Sequence, residues 1–261
     1  MSSPLFDMNL RALRRDQAAR LGPELFLYER AFADCLERLA LVRRRFQSAL
    51  ILGCPDRAWP DRLREFVPEV EVADPGAQFA ARSGGRQVVE DVWEPEPSRY
   101  DLCIAVGTLD SVNDLPRALL ALRFALMPDG LLLGAVAGGD SLPRLRAAMR
   151  AADEVSGAAS PHVHPRIDPP ALAGLLSAAG FAMPVVDVDR VQVFYSTFGR
   201  LVGDLRRMGA TNILDQRSRI PLGRAARAAA AEAFASTGDA TIETFELLHF
   251  AGWTPRESGA I

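Results

Sequence analysis

The chain has 261 residues, 49% hydrophobic and 24% charged, with a formal net charge of −3. This is the make-up of a folded globular protein, and so near-balanced a charge gives no case for nucleic-acid binding. All 30 basic residues are arginine, so chemistry that needs a lysine, whether a Schiff base or a P-loop, is excluded.

Residues 5–20 have helical spacing, with Phe6, Leu10 and Leu13 on one side and Arg11, Arg14 and Arg15 largely on the other. A second helix is expected from about Glu24 to Arg45. From there the pattern turns to strand–helix alternation. Strands are expected at Ala49–Gly53, Glu69–Ala73, Arg86–Val92, Tyr100–Val106, Leu131–Val136, Met183–Val188 and Thr241–Gly252. Helices are expected between them near 59–66, 77–81, 115–126, 142–155 and 170–179. Two more, near 197–208 and 221–235, precede the last strand. Near-continuous apolar runs such as Leu131–Val136 suit strands covered on both faces. The order predicts an α/β fold, a doubly wound, mostly parallel sheet. The expected organisation is a helical lid at 1–46 and one domain at 47–261, with a helical insertion at about 196–236.

Cys35, Cys54 and Cys103 form no close motif and read as small buried hydrophobes in a reducing compartment. No apolar run reaches membrane-spanning length. The arginine-rich start carries Asp7 and Asp16, unlike a transit peptide, so a cytoplasmic location is expected.

Candidate site residues gather at the carboxyl ends of the expected strands. Ser48–Gly53 runs into a glycine turn, as a nucleotide-binding domain begins, but Pro55-Asp56-Arg57 follows where small residues usually admit a phosphate or carboxylate. Asp74, about twenty residues after Gly53, ends the second strand where an acid accepts from ribose hydroxyls; a turn aspartate before Pro75 is the plain alternative. Asp91 closes the third strand, facing an adenine or only solvent. Cys54, Val92 and Gly107 adjoin these positions and complete the cofactor-binding set.

Thr108–Asp114 follows the fourth strand. Within it, Asp114 reads as a helix N-cap and Asp110 as a carboxylate at the mouth of a site. Asp140, after Gly138-Gly139, caps the next helix or contacts substrate. His162 and His164, near Asp168, could suggest a metal; a substrate-contacting or proton-transferring His162 is the stronger reading, and no metal is expected. Asp110, Asp140 and His162 are the catalytic candidates. Asp204, Arg206 and Arg207 line a pocket or form a solvated face.

On these residues the chain resembles the class I S-adenosylmethionine-dependent methyltransferases. It is most similar to bacterial relatives of the methyltransferase-fold mitochondrial complex I assembly factor, a branch near the biotin-synthesis methyltransferases. The strings that carry this run along nearly the whole chain: Leu5-Phe6-Asp7, Asn113–Leu119, Pro128-Asp129-Gly130, Gly138–Leu142, Ser160-Pro161-His162, Ala179-Gly180-Phe181 and Met208–Asn212. The resemblance implies a seven-stranded sheet with its last strand antiparallel, and an adenosylmethionine site at Gly53, Asp74 and Asp91. It also implies methyl transfer to a small molecule or protein. Two other roles are implied as well, arginine hydroxylation of a respiratory complex I subunit and a non-catalytic part in that complex's assembly. The chain departs from the family twice: at Pro55-Asp56-Arg57, and at Leu109-Asp110-Ser111, where the family carries Leu-His-Trp.

Overall fold

A computed structural model describes residues 3–235 and 240–256. The expected insertion end at 236 and domain end at 261 lie outside the described residues. Two helices, α1 (Met8–Leu21) and α2 (Phe26–Leu41), lead into β1 (Ser48–Leu52), α3 (Trp59–Arg64), β2 (Glu69–Asp74), α4 (Ala77–Arg82) and β3 (Arg86–Gln87). The chain continues through β4 (Tyr100–Val106), α5 (Leu115–Ala125), β5 (Leu126–Ala137), α6 (Pro143–Ser156) and α7 (Pro169–Ala178). It closes with β6 (Ala182–Tyr195), α8 (Phe198–Arg207), α9 (Arg224–Phe234) and β7 (Thr241–Trp253).

The seven strands form one sheet in the order β3-β2-β1-β4-β5-β7-β6. Pairing is parallel from β3 to β5, and β7 runs antiparallel to both its neighbours. The doubly wound, mostly parallel sheet is thus present, with the antiparallel last strand that the resemblance implied. Chain order reverses direction across β1 and β4, and ligands of open α/β sheets bind outside the carboxyl ends of the strands at such a point.

The strand alternation divides the core in two. Ala49, Ile51, Leu102, Ile104 and Val106 face α2, α3 and α6, while Leu50, Leu52, Cys103 and Ala105 face α5 and α7. Residues at spacing two point to opposite faces, so a strand covered on both sides must be apolar throughout. All seven residues of β4 are buried, Asp101 included. Its carboxylate accepts from the Gln47 and Ser48 amides ahead of β1 (2.7 and 3.0 Å). The three cysteines are buried and free, and burial pushes the Cys54 thiol up to about 12.

The third strand is much shorter than its apolar pattern suggested. Only Arg86–Gln87 pairs with β2; Glu90–Val92 forms a 3-10 turn. This difference decides which acid reaches the site.

Candidate functional site

The turns leaving β1, β2 and β4 form the floor of a cleft that side chains of the N-terminal helix α1 fill. Gly53 turns with φ +86°, and a Cβ there would run into the Val106 carbonyl oxygen, so the close approach requires glycine. Asp74, with no exposed surface, ends β2 beside it. Its carboxylate accepts from the Cys54 amide (2.8 Å) and the Gly76 amide (2.7 Å).

Two more donors come from α1. Arg15 Nε and Nη2 donate to the two Asp74 oxygens at 2.8 and 2.6 Å. Its Nη1 reaches the Gly107 carbonyl (3.4 Å), and its guanidinium lies 5.2 Å from the centre of the Phe79 ring. Burial opposes the charge on Arg15, but the Asp74 carboxylate outweighs it and holds the group above the ordinary arginine value.

One helical turn earlier, Arg11 makes the same fork-to-fork contact with Glu90 (2.6 and 2.9 Å). Arg11 also donates to the Thr108 carbonyl (2.7 Å) and to Ser111 Oγ (3.0 Å). Spacing of four puts both arginines on one face of α1. That face is the inner one. Arg11 and Arg15 are 3% and 4% exposed, whereas Leu13 is 60% exposed.

Beyond the arginines, under α2, lies a cavity of about 90 Å³. Its wall is apolar on one side (Leu27, Met208, Phe245, Leu247) and carries Asp110, His164 and Arg166 on the other. Tyr28 spans the wall, its ring over Gly107 and its hydroxyl donating to the Met208 carbonyl (2.8 Å). Arg166 donates to Asp110 Oδ2, and its own Nε is buried without a partner. Burial, with Arg166 adding to it, pushes His164 down to about 4, so the ring is neutral at pH 7. His164 Nε2 accepts from the Ile213 amide (3.1 Å), which leaves the proton on Nδ1. A second cavity of about 260 Å³, bounded by α6 and α8, shares His164, Arg166 and Ala210 with the first and includes His162 and Arg206 in its wall.

The structure brings some candidate residues together and sets others apart. Gly53, Cys54 and Asp74 meet at the ends of β1 and β2 beneath Arg15, and Gly107 and Asp110 line the adjoining cavity. Asp91 turns away from it, accepting from the Asn113 and Asp114 amides (2.9 Å each), and Val92 is 67% exposed. Glu90, not singled out in the sequence, is the acid that faces inward, because the 3-10 turn replaces the expected strand. Asp140 lies outside the cavity, its exposed side chain paired with Arg190 (3.0 Å). The α6 helix that it could have capped is instead capped by Glu243 of β7, which accepts from the Leu145 amide (2.8 Å). His162 bonds to Asp153 (2.8 Å). Asp114 caps α5 and Asp168 caps α7. Arg57 is exposed and stays out of the cleft.

A family model described as a methyltransferase domain matches residues 26–184. The human protein named arginine-hydroxylase NDUFAF5, mitochondrial, is 31% identical over 98% of this chain and 79% of its own length. A malonyl-[acyl-carrier protein] O-methyltransferase of Xylella fastidiosa is 35% identical over 56% of this chain and 49% of its own. Among solved structures, the YcgJ protein of Bacillus subtilis superposes with a TM-score of 0.58 at 10% identity, covering 86% of this chain and 99% of its own. A phosphoethanolamine N-methyltransferase of Haemonchus contortus in complex with S-adenosyl-L-methionine gives 0.53 at 14% identity, covering 86% of this chain and 52% of its own.

The acceptors in the cleft suit adenosylmethionine in kind. Asp74, Glu90 and the carbonyls of Gly107 and Thr108 all take hydrogen bonds, here from guanidinium groups. Ribose hydroxyls and an ammonium are donors of the same type, so Arg11 and Arg15 stand where such donors would bind. The Gly53 turn itself is packed against the Val106 carbonyl and the Thr108 side chain, and Pro55 adds no N–H to it.

Proposed function

The chain belongs to the methyltransferase domain family, and we propose that it is a working S-adenosylmethionine-dependent methyltransferase. The observation that carries this reading is Asp74: a buried carboxylate at the carboxyl end of β2, beside the Gly53 turn, its oxygens facing the Arg15 guanidinium. Asp74 and Glu90 would hold the cofactor, with the Gly107 and Thr108 carbonyls taking its ammonium. When bound, the cofactor supplies a methyl group on a sulfonium. The rest falls to positioning. The cavity next to the cleft receives the acceptor, its apolar wall excluding water. Asp110 accepts the acceptor's proton, and Arg166 holds that carboxylate in place. His164, neutral with its proton on Nδ1, serves as a hydrogen-bond donor rather than a base.

Calorimetric titration with adenosylmethionine and adenosylhomocysteine tests this. Saturable binding that Asp74→Asn removes is the expected result. No binding at millimolar ligand, either by the wild type or by the double variant R11Q/R15Q, defeats the reading.

A second reading has its own support. The cleft accommodates two guanidinium groups in acid-lined contacts, and relatives matching 98% of the chain are named arginine-hydroxylases. On this reading the chain hydroxylates an arginine of a partner protein, such as a respiratory complex I subunit. Mass spectrometry of that subunit from a deletion strain is the test, and an unchanged level of arginine hydroxylation rejects it.

A further inference from the structure

We propose that α1 is a displaceable internal occupant of the cofactor cleft, with Arg11 and Arg15 acting as a latch that competes with adenosylmethionine for Asp74 and Glu90. This rests on the methyltransferase reading and adds to it a closed state that the cofactor must open.

Three observations carry the inference. First, the latch uses the groups the cofactor needs. Arg15 takes both oxygens of Asp74 and Arg11 takes both of Glu90, and Arg11 also takes the Thr108 carbonyl. Asp74 is filled, two bonds coming from Arg15 and one each from the Cys54 and Gly76 amides, so a cofactor hydroxyl can reach it only when Arg15 leaves. Second, the hold on α1 is polar. Its fully buried apolar side chains are Ala18 and Ala19, packed with Phe79; Met8 and Leu10 are partly buried against Phe6, Ile213 and Leu214, and Leu13 and Leu21 are more than half exposed. Apolar burial resists undocking in proportion to its area, and here there is little. The ion pairs can exchange like for like with another donor, because desolvation offsets much of a buried pair's attraction. Third, the seat is built for close approach. A Cβ at Gly76 would lie 2.8 Å from the Arg15 Cβ, and one at Gly209 would lie 3.2 Å from the Arg15 Cα. The helix is tied at its start, where the Asp7 amide donates to the Ile213 carbonyl (2.9 Å), and ends at Gly22, which has φ +87° and no neighbour within 4 Å of a built Cβ. At that end Arg207 donates to the Gly22 carbonyl (2.9 Å) and Arg82 to the Ala19 carbonyl, so α1 is anchored at both ends and the movement falls on the arginine-bearing middle of the helix.

The test combines calorimetry with hydrogen–deuterium exchange of residues 8–21, using adenosylhomocysteine as probe. In the wild type, α1 amides are protected without ligand and lose protection at saturation. The double variant R11Q/R15Q binds about tenfold tighter or better, since the closed state no longer reduces the competent fraction. Its α1 exchanges freely before ligand is added. The single variant Arg15→Gln, which leaves Arg11 on Glu90, gives the same two changes in smaller measure and serves if the double variant folds poorly. Equal affinities in wild type and variants, or α1 protection unchanged at saturation, overturn the latch and leave the methyltransferase reading standing. No binding by the wild type or by either variant overturns both.

Discussion

Arg15 and Asp74, 59 residues apart in sequence, meet as a fork-to-fork pair at 2.8 and 2.6 Å beneath α1, both shielded from solvent. The two links depend on different levels of the chain. Asp74 is placed by the sheet, because β2 ends there next to the Gly53 turn. Arg15 is placed by α1, which reaches its seat through Ala18 and Ala19 on Phe79 and through Asp16 on the Gln78 amide.

A buried pair of this kind is costly to break from one side. Arg15→Ala leaves Asp74 uncompensated and lowers unfolding free energy by about 3–5 kcal/mol if α1 stays docked. Arg30→Ala, which breaks an exposed pair with Asp189, costs about 1 kcal/mol or less. Urea unfolding of both variants measures the contrast. A deficit below about 1 kcal/mol for Arg15→Ala, with α1 still protected from exchange, contradicts the buried-pair account.

How far the site could be read from the sequence follows from the same two levels. The strands were legible because burial on both faces demands continuous apolar runs. Asp74 was legible through its spacing from Gly53. The role of Arg11 and Arg15 was not, because arginine counts as polar wherever it stands and the inner face of α1 sets these two side chains on carboxylates. Glu90 was missed for a local reason: a 3-10 turn follows two paired residues of β3, so the inward position falls one residue before Asp91. The fate of Asp140 depended on Glu243, about a hundred residues downstream, which takes the cap position first.

His164 makes stability depend on pH. Its folded value, about 4, lies below the ordinary 6.5. The unfolded chain therefore binds a proton between these values that the folded chain refuses. Stability is full above about pH 6.5 and falls as the pH is lowered towards 4, by up to about 3 kcal/mol from this group. His164→Gln, which keeps an acceptor for the Ile213 amide, should flatten that part of the profile. Thermal unfolding from pH 4 to 8 reads it, and an unchanged slope in the variant refutes the assignment.

Gly53 and Gly174 should respond oppositely to alanine. At Gly53 the left-handed backbone and the nearby Val106 carbonyl oppose a Cβ, with a cost of at least about 1–2 kcal/mol. Gly174 lies inside α7 with open space around it, and alanine there should stabilise by up to about 1 kcal/mol. Denaturation midpoints of the two variants decide the matter. A neutral Gly53→Ala would show that the turn does not require glycine.

The two candidate catalytic aspartates should separate in an activity assay. Asp110→Asn removes the proton acceptor in the cavity and lowers kcat by about 10²–10⁴. Asp140→Asn affects only an exposed pair with Arg190 and leaves kcat unchanged. If Asp140→Asn is the damaging change, the acceptor site lies elsewhere.

The most direct test of the whole account is a crystal structure grown with saturating adenosylhomocysteine. The account predicts the nucleoside's ribose hydroxyls on the Asp74 carboxylate, with Arg15 withdrawn and α1 displaced from the cleft. Arg15 still bonded to Asp74 at full ligand occupancy, or no ligand at the carboxyl ends of β1, β2 and β4, would contradict it.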